Sequence, residues 1–145
     1  MRNLPLFDPP PKPTGLSVIA SACLCGETCR WHGKRSYKTK AIRELEESGV
    51  RVVPVCPEML GGLPCPRPPV KTKKGHVFET DLETRSTFGT ERTAEFQAGA
   101  HAALLIAISC GAKRAYFCKN SPSCAPTGIA GRHLAANGIE IVPLW

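Results

Sequence analysis

Cys23, Cys56 and Cys124 stand out among the eight cysteines of this 145-residue chain because each follows a predicted β-strand. The strands are Leu16 to Ala20, Arg51 to Val55 and Lys113 to Cys118; Cys124 sits in the loop Ser121-Pro122-Ser123-Cys124. In an open parallel sheet such loops emerge along one edge, at the carboxyl ends of the strands, where these folds bind ligands. Three thiols separated by 33 and 68 residues can therefore meet at one site. A disulfide uses two, so a third favours a metal or a cluster. Three thiolates with no histidine at close ligand spacing suit an iron–sulfur cluster with one open iron. Zinc is compatible with the same thiols if Cys29 or His32 supplies a fourth ligand. The run Cys23-x-Cys25-x3-Cys29 matches neither a ferredoxin run nor a zinc knuckle. Small buried hydrophobes are the plain alternative for these thiols, and Cys110, at the end of an apolar run, fits it well.

The elements that must position these residues follow from periodicity and punctuation. Residues 1–15 hold five prolines without periodicity, an extended arm preceding a single domain over 16–145. A loop over 21–36 leads to a helix from Tyr37 to Glu47, with Ala41, Ile42 and Leu45 at helical spacing and Gly49 beyond its end. Residues 57–74, with five prolines and the pair Gly61-Gly62, read as one long irregular loop. Gly61-Gly62 would let backbone approach a planar ligand. His76 to Glu79 reads as a short edge strand, and Thr90 opens the strongest helix, running to Cys110 with Gly111 as its stop. Its second half is apolar nearly all round and should pack against a sheet. A loop over Lys119 to Gly128, a helix from Ile129 to Asn137 and a strand from Ile139 to Val142 complete the chain. The order predicts an α/β fold: one three-layer Rossmann-like domain, with a mostly parallel sheet and helices on both faces.

Composition is ordinary for a globular chain, with 42% hydrophobic and 21% charged residues. That excludes a disordered tail protein, a coiled coil and a collagen-like chain. No apolar run approaches the ~18 residues of a membrane span, and no secretory signal pattern opens the chain. The expectation is a soluble cytoplasmic protein without a membrane or an obligate protein partner. The net charge of +7 is concentrated in two stretches, Arg30 to Arg43 and Arg67 to Lys74. Such patches attract anions, nucleic-acid phosphate included. No recognition-helix, RNP-type or zinc-finger pattern accompanies them.

Ser21-Ala22-Cys23-Leu24-Cys25-Gly26-Glu27-Thr28-Cys29-Arg30-Trp31 resembles the S-A-C-L-x-G-x-x-C-R-Y/W opening of the thiouracil desulfidase (TudS-like) family. Val55-Cys56-Pro57-Glu58-Met59-Leu60-Gly61-Gly62-Leu63-Pro64-Cys65-Pro66-Arg67-Pro68-Pro69 resembles its V-C-P-E-x-L-G-G-L-P-x-P-R-x-P block, and Ser121 to Cys124 its S-P-S-C element. The motifs occur in order, over about residues 16–145. The resemblance implies a [4Fe-4S] cluster held by Cys23, Cys56 and Cys124, its fourth iron open to the sulfur of a thiolated pyrimidine such as 4-thiouracil. The implied chemistry is non-redox: water adds at C=S and sulfur leaves as hydrosulfide. Glu58 is the candidate base, and Ser121 a candidate to orient water or substrate. Glu58 as a surface carboxylate or loop cap, and Ser121 as a turn former, are the plain alternatives. Arg30 and Arg67 are candidate anion-binding or loop-bracing groups.

The chain departs from the family pattern at several places. His32-Gly33 follows Trp31 where Asp-Gly is usual, Val70-Lys71 stands where an acid is usual, and Cys118 replaces a common lysine. Ligands and Glu58 survive these changes, while the substrate is left open between a thiolated nucleobase, a nucleoside and thiolated RNA. The rival readings are a non-catalytic metal- or cluster-binding module, acting as a redox sensor or RNA-associated domain, and cytosolic disulfide chemistry.

Overall fold

The computed structural model describes residues 15–81 and 88–144. The proline-rich arm expected over 1–15 lies outside them except for Gly15. Four parallel strands form the main sheet: β1 (Ser17–Ser21), β2 (Arg51–Val55), β5 (Arg114–Cys118) and β6 (Glu140–Leu144), in the order β2-β1-β5-β6. Helix α1 (Lys40–Glu47) joins β1 to β2, α3 (Thr93–Cys110) precedes β5, and α4 (Ile129–Ala136) joins β5 to β6. The two edge strands each carry a proline, Pro54 and Pro143, and the two central strands carry none. This fits the missing N–H of proline, which a central strand cannot spare.

Alternation along the strands sorts the core into two layers. Ile19, Val55, Ala115 and Phe117 face α3 and α4, meeting Ala100, Ala103, Leu104, Ala107, Ala130 and Leu134. Ala20, Val52 and Tyr116 point the other way, toward Ile42 and Leu45 of α1. Helices therefore cover both faces, and the α/β Rossmann-like architecture stands as the sequence predicts. From β1 the chain first steps to β2 on one side, then crosses to β5 and β6 on the other. The order reverses between β1 and β5, the position at which parallel sheets open a crevice. Helix α3 is less enclosed than its composition suggests: Leu105 and Ile108 are 53% and 63% exposed, on the side away from the sheet.

The segment 57–74 corrects the sequence reading. It is not one irregular loop. Pro57–Leu60 forms a single helical turn, α2, with proline at its first position, where a missing N–H does no harm. Val70–Lys73 (β3) pairs antiparallel with His76–Glu79 (β4) as a separate two-stranded sheet. The expected strand at 76–79 is present, with a partner supplied by the segment read as loop. Proline density hid both elements, because α2 is only a turn long and β3 gains its hydrogen bonds from another segment.

Gly61 and Gly99 explain how α2 is seated. A Cβ on Gly61 would enter the Glu95 carbonyl of α3, and a Cβ on Gly99 would enter the Pro57 carbonyl of α2. The Gly61-Gly62 pair thus serves contact between helices rather than approach to a planar ligand; Gly62 has a positive φ of 98° and shapes the turn beyond α2. Gly99→Ala should therefore destabilise the fold by about 1–3 kcal/mol through overpacking. That exceeds the ~1 kcal/mol of helix propensity gained, and urea denaturation of the two chains measures the difference.

Candidate active site

Three loops meet above the carboxyl ends of β1, β2 and β5 and enclose a cavity of ≈ 230 Å³. Cys23 enters from a 3₁₀ turn (Ala22–Leu24) directly after β1, Cys56 from the residue before α2, and Cys124 from the loop after β5. All three line the cavity, as do Glu58 and Ser121. The strand-end placement thus brings the five expected site residues to one chamber.

Two further thiols join them. Cys29 and Cys118 also line the cavity, and Cys56 Sγ donates to the Cys29 carbonyl at 3.8 Å. The neighbouring thiols of Cys118 and Cys29 hold Cys23 well below the ordinary thiol range, with Arg30 adding to them and burial opposing. Cys29 likewise lowers Cys56. Cys29 and Cys118 are correspondingly raised, with burial adding to the shift. Cys124 is pushed up to about 12 by burial, and hydrogen bonds from Ser21 and Ser123 oppose the shift only partly. Cys118 was not legible as a site residue by motif, yet strand parity places it: two residues after Tyr116, it shares the face of Cys23. Cys110 packs against the α3 layer, as its apolar context predicts. Cys25 is raised to about 12, chiefly by burial.

Glu58 is neither a surface carboxylate nor a simple cap. It is 7% exposed and forms a buried ion pair, its Oε1 accepting from Arg67 Nε at 2.8 Å. Its Oε2 accepts from Ser123 Oγ at 2.9 Å. Arg67 also donates to the Pro64 carbonyl, and its backbone N–H donates to the Trp31 carbonyl. Arg67 thus braces loops and leaves the basic patch assigned to it. Ser121 Oγ accepts the backbone N–H groups of Ser123 and Cys124 at 3.2 and 3.1 Å. It builds the turn that presents Cys124 while still facing the cavity. Ser21 and Ser123 are the residues that motif reading passed over. Ser21 Oγ accepts the Cys118 N–H at 2.9 Å, tying β1 to β5 beneath Cys124. Their signal was chemical: hydroxyls near thiols, Ser21 at the end of an apolar run and Ser123 beside Cys124.

The Cys124 loop is clamped from below. The Ser123 carbonyl accepts from the N–H groups of Ala130 and Gly131 at the start of α4. A Cβ on Gly131 would enter the Ala125 carbonyl, so only glycine allows this approach. At the mouth, His32 is held below the ordinary imidazole range by partial burial and by Lys34, Arg30 and Arg67. A wider outer groove, lined by Trp31, His32, Lys34, Pro68 and Asp81 among others, continues from the cavity. Among the described residues no helix is long and apolar enough to cross a membrane.

A family model described as 2-thiouracil desulfurase matches residues 18–141, nearly all of the sheet and all three thiol loops. The chain belongs to this family. It is 28% identical over 130 residues to the uncharacterised protein YbbK of Bacillus subtilis (strain 168), covering 84% of this chain and 85% of that protein. A solved structure of a [4Fe-4S]-dependent thiouracil desulfidase, TudS, superposes with a TM-score of 0.75 at 31% identity, over 88% of this chain and 90% of that one. The TudS-like resemblance read from the motifs is thereby established.

The donor set suits an iron–sulfur cluster. Three soft donors arrive from three elements around a chamber, rather than on one point. Among the described residues no three His, Cys, Asp or Glu side chains are arranged to hold a single metal ion. Cys29 and His32, the residues expected to complete a zinc site, line the same cavity. Cys124 is buried, which disfavours its thiolate.

Two measurements test this electrostatic arrangement. Breaking the buried pair in Arg67→Met should lower stability by about 3–5 kcal/mol, because it strands the Glu58 charge, and adding Glu58→Gln should restore part of the loss. In the cluster-free chain a lowered pKa means the thiolate persists as pH falls. Peptide-mapped alkylation at about pH 6 should therefore label Cys23 and Cys56 ahead of Cys25 and Cys124.

Proposed function

We propose that this protein is a [4Fe-4S]-dependent, non-redox desulfidase acting on a thiolated pyrimidine, of which 4-thiouracil is the model. The observation that carries the reading is the meeting of Cys23, Cys56, Cys124 and Glu58 around one cavity at the reversal of the sheet. The family match and the thiouracil desulfidase TudS, an iron–sulfur enzyme of the same fold, support it. Cys23, Cys56 and Cys124 would hold the cluster through thiolates, leaving one iron without a protein ligand. Bound there, it supplies a Lewis acid for the thiocarbonyl sulfur.

The chain's own residues do the rest. Glu58 accepts a proton from the water that adds to the thiocarbonyl carbon. A carboxylate offers about four acceptor positions; Arg67 and Ser123 take one on each oxygen, which leaves others for water. The new C–O bond replaces the C–S bond, carbon keeps its oxidation state, and sulfur departs as hydrosulfide. Ser121, on the cavity wall, braces the Cys124 turn by accepting the Ser123 and Cys124 N–H groups, and its hydroxyl meets Ser123 Oγ at 3.0 Å.

The cationic mouth favours a second form of substrate, a thiolated nucleoside, nucleotide or RNA whose base enters the cavity. Arg30, which lines the cavity, and Lys34, in the outer groove, would attract its phosphates. Neither a membrane nor an obligate protein partner is part of the reading. All eight cysteines are thiols, in keeping with a reducing compartment such as the cytoplasm.

Anaerobic reconstitution tests the proposal directly. About four irons and four sulfides per chain are expected, lost in Cys124→Ala, together with conversion of 4-thiouracil to uracil and hydrosulfide; 2-thiouracil serves as the positional comparison. Glu58→Gln should retain iron and lose turnover by about 10²-fold or more. A variant that keeps both iron and rate would make the protein a binding module instead. A thiolated RNA substrate would show binding that weakens steeply with salt, and free thiobases would then turn over poorly.

A further inference from the structure

We infer that Ser123 is the positioning residue of the Glu58 carboxylate, and that Ser121, Ser123 and Glu58 form a single directed hydrogen-bond relay along the cavity wall. The inference rests on the desulfidase reading for its effect on rate, and on the geometry alone for its existence.

The direction of the relay follows from counting lone pairs. A serine hydroxyl has one proton and two acceptor positions. Ser121 Oγ accepts from the Ser123 and Cys124 N–H groups, so both its acceptor positions are filled. Its 3.0 Å contact with Ser123 Oγ must then carry the Ser121 proton toward Ser123. The Ser123 proton has two remaining acceptors, Glu58 Oε2 at 2.9 Å and Cys124 Sγ at 3.8 Å. The ionised carboxylate, closer and the stronger acceptor, takes it. Protons therefore point from Ser121 to Ser123 to Glu58.

Ser123 is well held for this task. It is 2% exposed, and its carbonyl is fixed by the N–H groups of Ala130 and Gly131. A Cβ on Gly128 would collide with the Ser123 carbonyl carbon and oxygen, so the glycine clears its seat. Arg67 meanwhile pins Oε1 from the proline loop. The carboxylate is thus clamped by one residue from each of two loops, and its plane is set by both. Removing the Ser123 hydroxyl frees one end of the clamp and leaves every thiol in place; its contact with Cys124 Sγ, at 3.8 Å, is the weaker of the two it could donate to.

The test is a double-mutant cycle on Ser123 and Glu58, read in two independent ways. In the cluster-loaded enzyme, Ser123→Ala should keep iron and sulfide content and hold KM within about twofold, while kcat falls about 10–100-fold. Ser123→Thr, which retains the hydroxyl, should recover most of the rate. In the Glu58→Gln background, Ser123→Ala should add less than about a further twofold, because the two act as a unit. In the cluster-free chain, Ser123→Ala should lower the thermal midpoint by several degrees, and by less once Glu58 is Gln. Independent, multiplying effects in both readouts would overturn the relay, as would a Ser123→Ala enzyme at the parent rate. If the parent itself converts no thiopyrimidine, the desulfidase reading fails, and the thermal cycle still decides whether Ser123 positions Glu58.

Discussion

A single buried carboxylate joins the three loops on which the site depends. Glu58 belongs to α2, directly after β2; its ion pair reaches Arg67 in the proline loop, and its second oxygen reaches Ser123 in the loop after β5. The Arg67 backbone N–H in turn donates to the Trp31 carbonyl of the loop after β1. A charge buried this deeply is tolerated only when paired and hydrogen-bonded. The three cysteine-bearing loops therefore reach their native positions together or leave the carboxylate uncompensated. Positioning of Glu58 and assembly of the thiol chamber are one energetic event.

Close backbone approach gives that event its rigidity. Gly61 and Gly99 let α2 press onto α3, and Gly128 and Gly131 let the Cys124 loop press onto the start of α4. In each place a methyl group would occupy the position of a carbonyl. The helices behind the sheet thus transmit the order of the core to the loops in front of it. Cavity walls built this way are fixed by packing rather than by the loops' own propensities, which proline density leaves weak.

The thiols divide by environment. Cys23 and Cys56 sit where neighbouring thiols and guanidinium groups favour the thiolate, whereas Cys124 sits where burial opposes it. Under the proposed function, loading the cluster would cost most at Cys124, and the hydroxyl of Ser21 would ease that step. Cys29 and Cys118 line the same chamber, and their proximity favours the thiolate of Cys23.

Much of this was legible in the residue order. Short apolar runs marked β1, β2, β5 and β6, a glycine stop closed α3, and the placement of Cys23, Cys56 and Cys124 after strands foretold a common site. These are local signals, or follow from the topology that parallel strands impose. The antiparallel pair β3–β4 and the turn α2 were not legible, since each takes its stability from segments distant in sequence. The same holds for the partners of Glu58. That a glutamate two residues from a ligand could act as a base is written in the motif; that Arg67 and Ser123 hold it is not. Hydrogen bonds spanning 9 and 65 residues exist only once the loops converge. The sequence by itself determined the elements and the chemistry they carry, through periodicity and residue type. Only the tertiary structure decided which polar groups meet, because burial, not adjacency, selects their partners.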